Sequence, residues 1–177
     1  MQNKSHLGFH LLAFVVSCIW GSTFVASKIL LNAGLSPAQI MCMRFAIAYF
    51  AFLPFCRRKI KADSLRDELL FIALGLTGGS LYFLTENSAL QYTTSTSTVA
   101  MLITTTPVLT AFVVRAIFPS EKLSRRFLFG SLVALVGVAL VIFNGVFILD
   151  DNPLVALLAF SASLCWAFSG LLLRKLE

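Results

Sequence analysis

The sequence has few charged residues for its length. Only 12% of its 177 residues are charged, whereas a soluble domain averages about 25%. So few charges cannot cover a water-facing surface, which excludes an ordinary soluble domain and favours a membrane protein. The hydrophobic fraction of 58% and the mean hydropathy of +0.89 agree with that class.

The sequence also lacks the usual signals of catalysis and metal binding. Its two histidines, His6 and His10, lie near the N-terminus, and the HExxH, GxSxG and P-loop motifs are absent. The four cysteines have no CxxC spacing, and we interpret them as small apolar packing residues. We therefore expect no enzyme, no catalytic residue, no metal site and no cofactor. The net charge of +6 does not indicate nucleic acid, because the basic residues lie between apolar segments.

Six apolar stretches are long enough to be transmembrane helices. About 20 helical residues cross the ~30 Å of hydrocarbon in a bilayer. A helix also satisfies its own backbone there, and these stretches do not alternate as the strands of a barrel would. They lie at 9–31, 38–56, 69–90, 95–114, 127–148 and 153–173. The sequence therefore predicts an all-α, polytopic membrane helix bundle with six transmembrane helices.

Basic residues are distributed asymmetrically around these stretches. Twelve of the fourteen Lys and Arg lie in the N-terminus, the 2–3 connection, the 4–5 connection or the C-terminus. The remaining connections carry none, and the last of them contains Asp150 and Asp151. By the positive-inside rule both termini are cytoplasmic, and we expect a multi-pass protein of the inner (plasma) membrane.

The first and last apolar stretches repeat one another. Residues 11–30, LLAFVVSCIWGSTFVASKIL, align with residues 157–176, LLAFSASLCWAFSGLLLRKL. In this alignment Trp20 meets Trp166, Gly21 meets Ala167 and Lys28 meets Arg174. Because an odd number of helices separates the two starts, the copies are predicted to enter the membrane in opposite senses. Inverted repeats of this kind are typical of secondary transporters.

Three ionisable residues lie inside the predicted spans. Lys28, Arg44 and Glu86 fall ~5–9 Å below one membrane boundary, at ~1.5 Å per residue. A charge at the bilayer centre costs on the order of 3 kcal/mol or more, so each needs a partner or a route to water. One interpretation is a polar vestibule in which Glu86 is paired or protonatable. The other is that Lys28 and Arg44 snorkel separately to the headgroups, which the short Glu86 side chain does poorly.

The third stretch carries a predicted cavity wall. Gly75, Gly79, Tyr82 and Glu86 share one face at α-helical period, and Asn87 lies one position off that face. The Gly-x3-Gly spacing allows close approach of a neighbouring backbone. The alternative interpretation is a helix-packing seam with a polar end.

Aromatic and proline residues near mid-span suggest further site elements. Trp20 and Trp166 lie away from the interfacial belts where Trp collects, so they fit either a substrate cavity or core packing. Residues 104–107, TTTP, predict a kink, because proline frees carbonyls that threonine hydroxyls can bond, and this kink is either a hinge or a packing bend. The candidate substrate-binding or cavity residues are Trp20, Arg44, Tyr82, Glu86, Asn87 and Trp166. The candidate packing or hinge residues are Gly21, Gly75, Gly79 and Pro107.

Four stretches in order carry a family resemblance. They are WGSTFVASKIL, RFAIAYF, SALQYTTSTSTVAMLITTTPVLTAF and SEKLSRRFLFGSLVALVGVALVI. Together they resemble the EamA-type permeases of the drug/metabolite transporter superfamily. The resemblance implies a ten-helix carrier of two inverted five-helix repeats, with a central cavity and often with proton or exchange coupling. It also implies that Pro107 is the family's helix-4 proline and Glu121 its acidic residue in the next connection.

The resemblance divides the chain into residues 1–148, a first EamA-type repeat, and residues 149–177, the truncated start of a second. We therefore expect a partial secondary active permease for small metabolites such as amino acids or drug-like compounds. Its expected partners are the lipid bilayer, a small-molecule substrate, protons as the coupled ion, and a second polypeptide or a second copy of the chain. The alternatives are a non-transporting membrane scaffold, a degenerate remnant, or half of a split carrier.

Overall fold

The computed structural model describes residues 4–55, 64–118, 124–143 and 152–175. Within these ranges every regular element is a helix, which confirms the all-α prediction. The elements are α1 (Lys4–Asn32), α2 (Pro37–Phe52), α3 (Leu65–Leu74), a π-helical segment (Gly75–Leu81), α4 (Tyr82–Tyr92), α5 (Thr96–Ile103), α6 (Thr106–Ile117), α7 (Arg125–Phe143) and α8 (Pro153–Arg174). They make six helical segments, because α3 continues through the π-helical segment into α4 and only a short turn separates α5 from α6.

Four of the six segments are long and apolar enough to cross a membrane. They are Leu7–Asn32, Leu65–Tyr92, Thr96–Ile117 and Pro153–Arg174. The helix α2 is apolar but has only 16 residues, which is about 24 Å of helix against ~30 Å of hydrocarbon. The connections that hold Arg57, Glu121 and Asp150 lie outside the described residues, so the charge asymmetry there stays a prediction.

The break between α1 and α2 is encoded locally. Gly34 has a φ of 94°, in the left-handed region where only glycine pays no steric penalty. The hydroxyl of Ser36 then accepts a hydrogen bond from the backbone N–H of Gln39, whose side chain accepts in turn from the backbone of Ser36. With Pro37 in the first turn, this capping box starts α2 immediately after the glycine.

The helix α8 lies at the centre of the bundle. It packs against α4, α6, the π-helical segment, α5 and α3. Its buried face consists largely of small side chains, which allow the close approach that drives helix association in lipid. The buried residues are Val155, Ala159, Ala162, Ser163, Ala167, Ser169 and Leu171.

One apolar cluster joins α8 to α1, α4 and α5. We call it the apolar cluster, and its members are Phe24, Tyr82, Ala89, Leu90, Val99, Ile103, Val155, Ala159 and Ala162. By contrast, the outer faces of α1, α2 and α7 expose large side chains such as Phe14, Phe50 and Phe129. Exposed apolar surface on this scale suits contact with lipid and not with water.

Candidate functional site

A cavity of about 660 Å³ lies between α1, α4, α6 and α8. This volume falls within the range of about 300–1,000 Å³ that is typical of small-molecule sites. Three of the six predicted cavity residues line it, together with the predicted hinge Pro107. The full lining consists of Trp20, Tyr82, Ile103, Thr104, Thr106, Pro107, Thr110, Ala111, Val114, Arg115 and Trp166.

Aromatic rings form one side of this cavity. Trp20 and Trp166 are 45% and 44% exposed, so the two repeated tryptophans line an opening and are not enclosed in the apolar cluster. The ring of Trp166 lies 5.1 Å from the ring of Tyr82, centroid to centroid, and Trp20 lies 6.3 Å from Phe24. The rings therefore offer large apolar surfaces and π-systems that attract cations.

The opposite side of the cavity is the break between α5 and α6. The helix α5 ends at Ile103, and α6 begins at Thr106 with Pro107 in its first turn, so the helix is interrupted where TTTP predicts a kink. The hydroxyls of Thr104, Thr105 and Thr106 donate to the carbonyls of Met101, Leu102 and Ile103 at 2.6, 2.6 and 2.5 Å. The break is thus stabilised without water, as a site in the membrane requires.

The threonines give the cavity wall hydrogen-bond acceptors. Thr104 and Thr106 engage their hydroxyl hydrogens as described, and Thr110 donates to the carbonyl of Thr106 at 2.8 Å. The hydroxyl oxygens of Thr106 and Ser163 also lie 3.0 Å apart, which ties α6 to α8. The oxygen lone pairs that remain suit a ligand that carries N–H or O–H donors.

A buried polar cluster lies behind the ring of Tyr82. Its members are Arg44, Tyr82, Glu86 and Asn87. Glu86 and Asn87 are 0% exposed and Tyr82 is 1% exposed. Both oxygens of Glu86, both side-chain polar atoms of Asn87, the Tyr82 hydroxyl and one terminal nitrogen of Arg44 have no hydrogen-bond partner within the described residues. Leaving a buried polar group unpaired costs about 1–3 kcal/mol, and more for a charged group, so such a cluster calls for a functional reason.

Arg44 on α2 points into the bundle. Its guanidinium carbon lies 4.4 Å from the centre of the Phe83 ring. The Arg44 charge and the Tyr82 hydroxyl both interact electrostatically with the carboxyl of Glu86, although neither meets hydrogen-bond geometry. Arg44 therefore lies inside the bundle against Phe83, with one terminal nitrogen buried.

Lys28 follows neither of the two interpretations that its sequence position allows. Its ammonium group donates to the carbonyls of Leu90 and Thr93 at 2.8 and 2.6 Å. These carbonyls belong to the C-terminal end of α4, where four backbone oxygens have no partner within the helix and a positive charge is favourable. Lys28 of α1 therefore caps the C-terminal end of α4.

The predicted glycine face needs correction. The stripe of Gly75, Gly79, Tyr82 and Glu86 assumes an α-helical period, but Gly75–Leu81 is π-helical. A π turn holds more residues than an α turn, so the register changes there. Consistently, Gly75 is exposed and Gly79 half-buried, whereas Tyr82 and Glu86 are buried.

Among the described glycines, the tightest packing lies at Gly78, which the sequence reasoning missed. A Cβ on Gly78 would come within 2.9 Å of the Ser169 side chain on α8. At Gly79 it would make ordinary contact with Phe45 at 3.4 Å, and at Gly21 or Gly75 it would meet no described atom within 4 Å. The adjacent glycines Gly78 and Gly79 are the sequence feature that indicates this contact. The Gly-x3-Gly spacing instead predicts it at Gly75, which is exposed.

Fold and site together define a class of protein. The chain is a multi-pass helical membrane protein with a cavity sized for a small solute, and within the described residues no three His, Cys, Asp or Glu side chains meet as a metal site requires. The chain belongs to the EamA-like transporter family, whose sequence profile matches residues 8–143.

Two curated relatives are transporters from Bacillus subtilis (strain 168). The uncharacterized transporter YyaM is 26% identical over 180 residues, covering 96% of this chain and 57% of the relative. The uncharacterized transporter YdfC is 26% identical over 161 residues, covering 89% of this chain and 52% of the relative. The chain thus spans about half the length of these relatives, and no solved structure matches it significantly.

Proposed function

We propose that this chain forms the substrate-binding part of a secondary active carrier for small metabolites such as amino acids or drug-like compounds. The observation that carries the proposal is the convergence of Trp20, Trp166 and Tyr82 on one cavity. The two tryptophans come from the two copies of the repeated sequence, which supports a cavity formed between the repeats. Cavities between repeats near mid-membrane are where secondary transporters bind their substrates.

The chemistry around the cavity favours a zwitterionic solute with an apolar body. The aromatic rings provide the apolar surface, and the threonine oxygens accept from donors such as an ammonium group. Arg115, whose guanidinium is cationic, also lines the cavity. Together they match a ligand that carries both a carboxylate and an ammonium group better than a ligand of net charge.

Tyr82 connects the cavity to the buried polar cluster. Its ring lines the cavity, and its hydroxyl lies among the unpaired atoms beside Glu86. A change in the charge of Glu86 would therefore alter the electrostatic environment of the Tyr82 side chain, which forms part of the cavity wall. We propose Glu86 as the site of proton coupling, with Tyr82 as the link to the substrate.

The binding half of the proposal is tested with the chain's own fluorescence. Trp20 and Trp166 are its only tryptophans, and both line the cavity. Titration of the chain in lipid nanodiscs with L-phenylalanine or L-leucine should shift the emission, and Trp20→Phe and Trp166→Phe should each remove part of the signal. Propionate and a simple alkylamine serve as singly charged controls. Unchanged emission with every probe, together with absent uptake, would favour the membrane scaffold over the carrier.

The transport half is tested by uptake into proteoliposomes. The chain is assayed alone and with any open reading frame that continues beyond Glu177. In a preparation that transports, Glu86→Gln should abolish uptake or its dependence on pH, because the amide cannot exchange a proton. Glu68→Gln is a matched control, since it makes the same change at an exposed carboxylate in the first turn of α3. Uptake and pH profile that survive in Glu86→Gln would reduce Glu86 to a packing residue.

The remaining features of the carrier follow the charge pattern and the repeat. We propose that both termini are cytoplasmic, that residues 1–148 form the first repeat, and that residues 149–177 begin the second. The small residues Ser17 and Gly21 of α1 are exposed, whereas their counterparts on α8 are packed. This open face supports further helices as partners, supplied by a longer chain, a second polypeptide or a second copy.

A further inference from the structure

Lys28 joins α1 to the corner between α4 and α5. Its two hydrogen bonds, at 2.8 and 2.6 Å, reach across 62 and 65 residues of sequence. The side chain is half-buried, so both bonds are only partly exposed to water. Charge-assisted bonds of this length are stronger than bonds between neutral groups. They are a direct polar link between α1 and this corner.

The bundle is sealed at the end where Lys28 lies. Phe24, Leu90, Val99 and Val155 are all buried there and belong to the apolar cluster. The cavity begins deeper, because Trp20 lies eight residues before Lys28 and Tyr82 eight before Leu90, or ~12 Å along each helix. From there the lining continues along α6 to Arg115, near the opposite end. The structure is thus closed at the Lys28 end and hollow toward the other.

The second copy of the repeat places its basic residue at the opposite end. Arg174 aligns with Lys28, and its guanidinium carbon lies 6.0 Å from the centre of the ring of Phe118, the C-cap residue of α6. Each copy therefore contributes a tryptophan to the cavity and, eight residues later, a basic side chain at the end of a helix that lines it. A basic residue eight positions after the tryptophan is thus a feature of both copies of the repeat, and Lys28 is one of the two.

We propose that Lys28 is a latch that holds the cavity closed at the α4–α5 corner, and that substrate crosses this end only after the latch releases. The second clause rests on the proposed transport function, whereas closure by Lys28 does not. Loss of the latch should separate α1 from the corner and admit water to the apolar cluster beside it. The rest of the bundle, held by α8, should stay packed.

Thiol labelling in nanodiscs tests the latch without any substrate. In a background with the native cysteines replaced by serine, Ser27→Cys reports on the sealed end, because Ser27 is 2% exposed and adjoins Lys28. Lys28→Met should raise its labelling rate by a soluble maleimide about tenfold or more, as local opening predicts. Lys28→Arg should stay near wild type, since a guanidinium can donate to the same carbonyls. Lys175→Met removes the same charge from the other end and should have no effect.

A second reporter separates a latch from general instability. Ala167→Cys lies at a 0% exposed position of α8, away from the corner, and should stay protected in Lys28→Met. Labelling that rises equally at both reporters would overturn the proposal, because it would show loosening of the whole bundle. Unchanged labelling at Ser27→Cys would also overturn it. Neither result depends on whether the chain binds or transports a solute, so the two proposals fail independently.

Discussion

The two copies of the repeated sequence occupy opposite environments. The helix α8 buries seven residues at the centre of the bundle, whereas the described side chains of α1 include only two buried ones, Phe24 and Ser27. Ala167 is 0% exposed, while its counterpart Gly21 is exposed and would have no described atom within 4 Å of an added Cβ. The tryptophans are the exception, since both are exposed to nearly the same extent and line one cavity.

The difference shows that the repeated sequence contains two kinds of position, which have different environments in the structure. Its small residues are packing positions, and they are buried only where neighbouring helices surround them, as α3 to α6 surround α8. Its tryptophan and basic residue occupy comparable positions in both copies. The burial of the small residues therefore depends on the neighbouring helices. The placement of the tryptophan and the basic residue is common to both copies.

Bulky substitutions at the paired small positions should show the largest difference. Ala167→Leu would overpack a position enclosed on α8, and we expect a destabilisation of about 3 kcal/mol. Gly21→Leu enters open space and should leave stability nearly unchanged or improve it through helix propensity. Unfolding of each variant in mixed micelles, followed by circular dichroism, gives the two values. Similar losses for both variants would mean that α1 is packed as tightly as α8.

Alanine at two glycines tests the contact between α8 and the third helical segment. Gly78→Ala should cost about 1–2 kcal/mol, because its Cβ would come within 2.9 Å of the Cβ of Ser169 and one backbone must move. Gly75→Ala meets open space, and removing a glycine from a helix should stabilise it by about 0.5–1 kcal/mol. The same unfolding assay applies, and a Gly78→Ala variant as stable as the parent would disprove this contact.

The paired serines should show the smallest difference. Ser163→Ala removes the contact with Thr106 on α6, and bonds of this kind between membrane helices average about 0.6 kcal/mol. Ser17→Ala should have less effect, because Ser17 donates only to the carbonyl of Ala13 within its own helix. A double-mutant cycle with Thr106→Val isolates the interhelical term, and a coupling energy of zero would contradict it.

Much of the fold follows from the sequence because lipid imposes simple rules. Apolar runs of sufficient length must be helical there, and Gly34, Ser36, Asn152 and Pro153 encode helix ends through local bonds. The break at TTTP and the bonds of its threonines follow from the chemistry of proline. The positions of the two tryptophans predict either a substrate cavity or core packing. In the structure both line the cavity.

The failures of the sequence reasoning concern partners that lie far along the chain. Nothing near Lys28 indicates that it caps α4, because its acceptors belong to residues 62 and 65 positions away. The close contact of Gly78 with Ser169 depends likewise on where α8 packs. The glycine stripe failed for a different reason, since one π turn is enough to change the face on which every earlier residue lies.

The π turn also has a genetic consequence. Because Gly75–Leu81 holds more residues than the corresponding α turns, deletion of a single codon in this stretch would let the segment revert to an ordinary α-helix. Because the π turn accommodates one extra residue within nearly the same rotation, such a deletion would leave the faces of α3 and α4 nearly unchanged relative to one another. Tyr82 and Glu86 would keep their places against α8. The stretch should therefore tolerate the loss of one residue, whereas the loss of a second would rotate α3 by about 100° relative to α4, the angle of one residue in an α-helix.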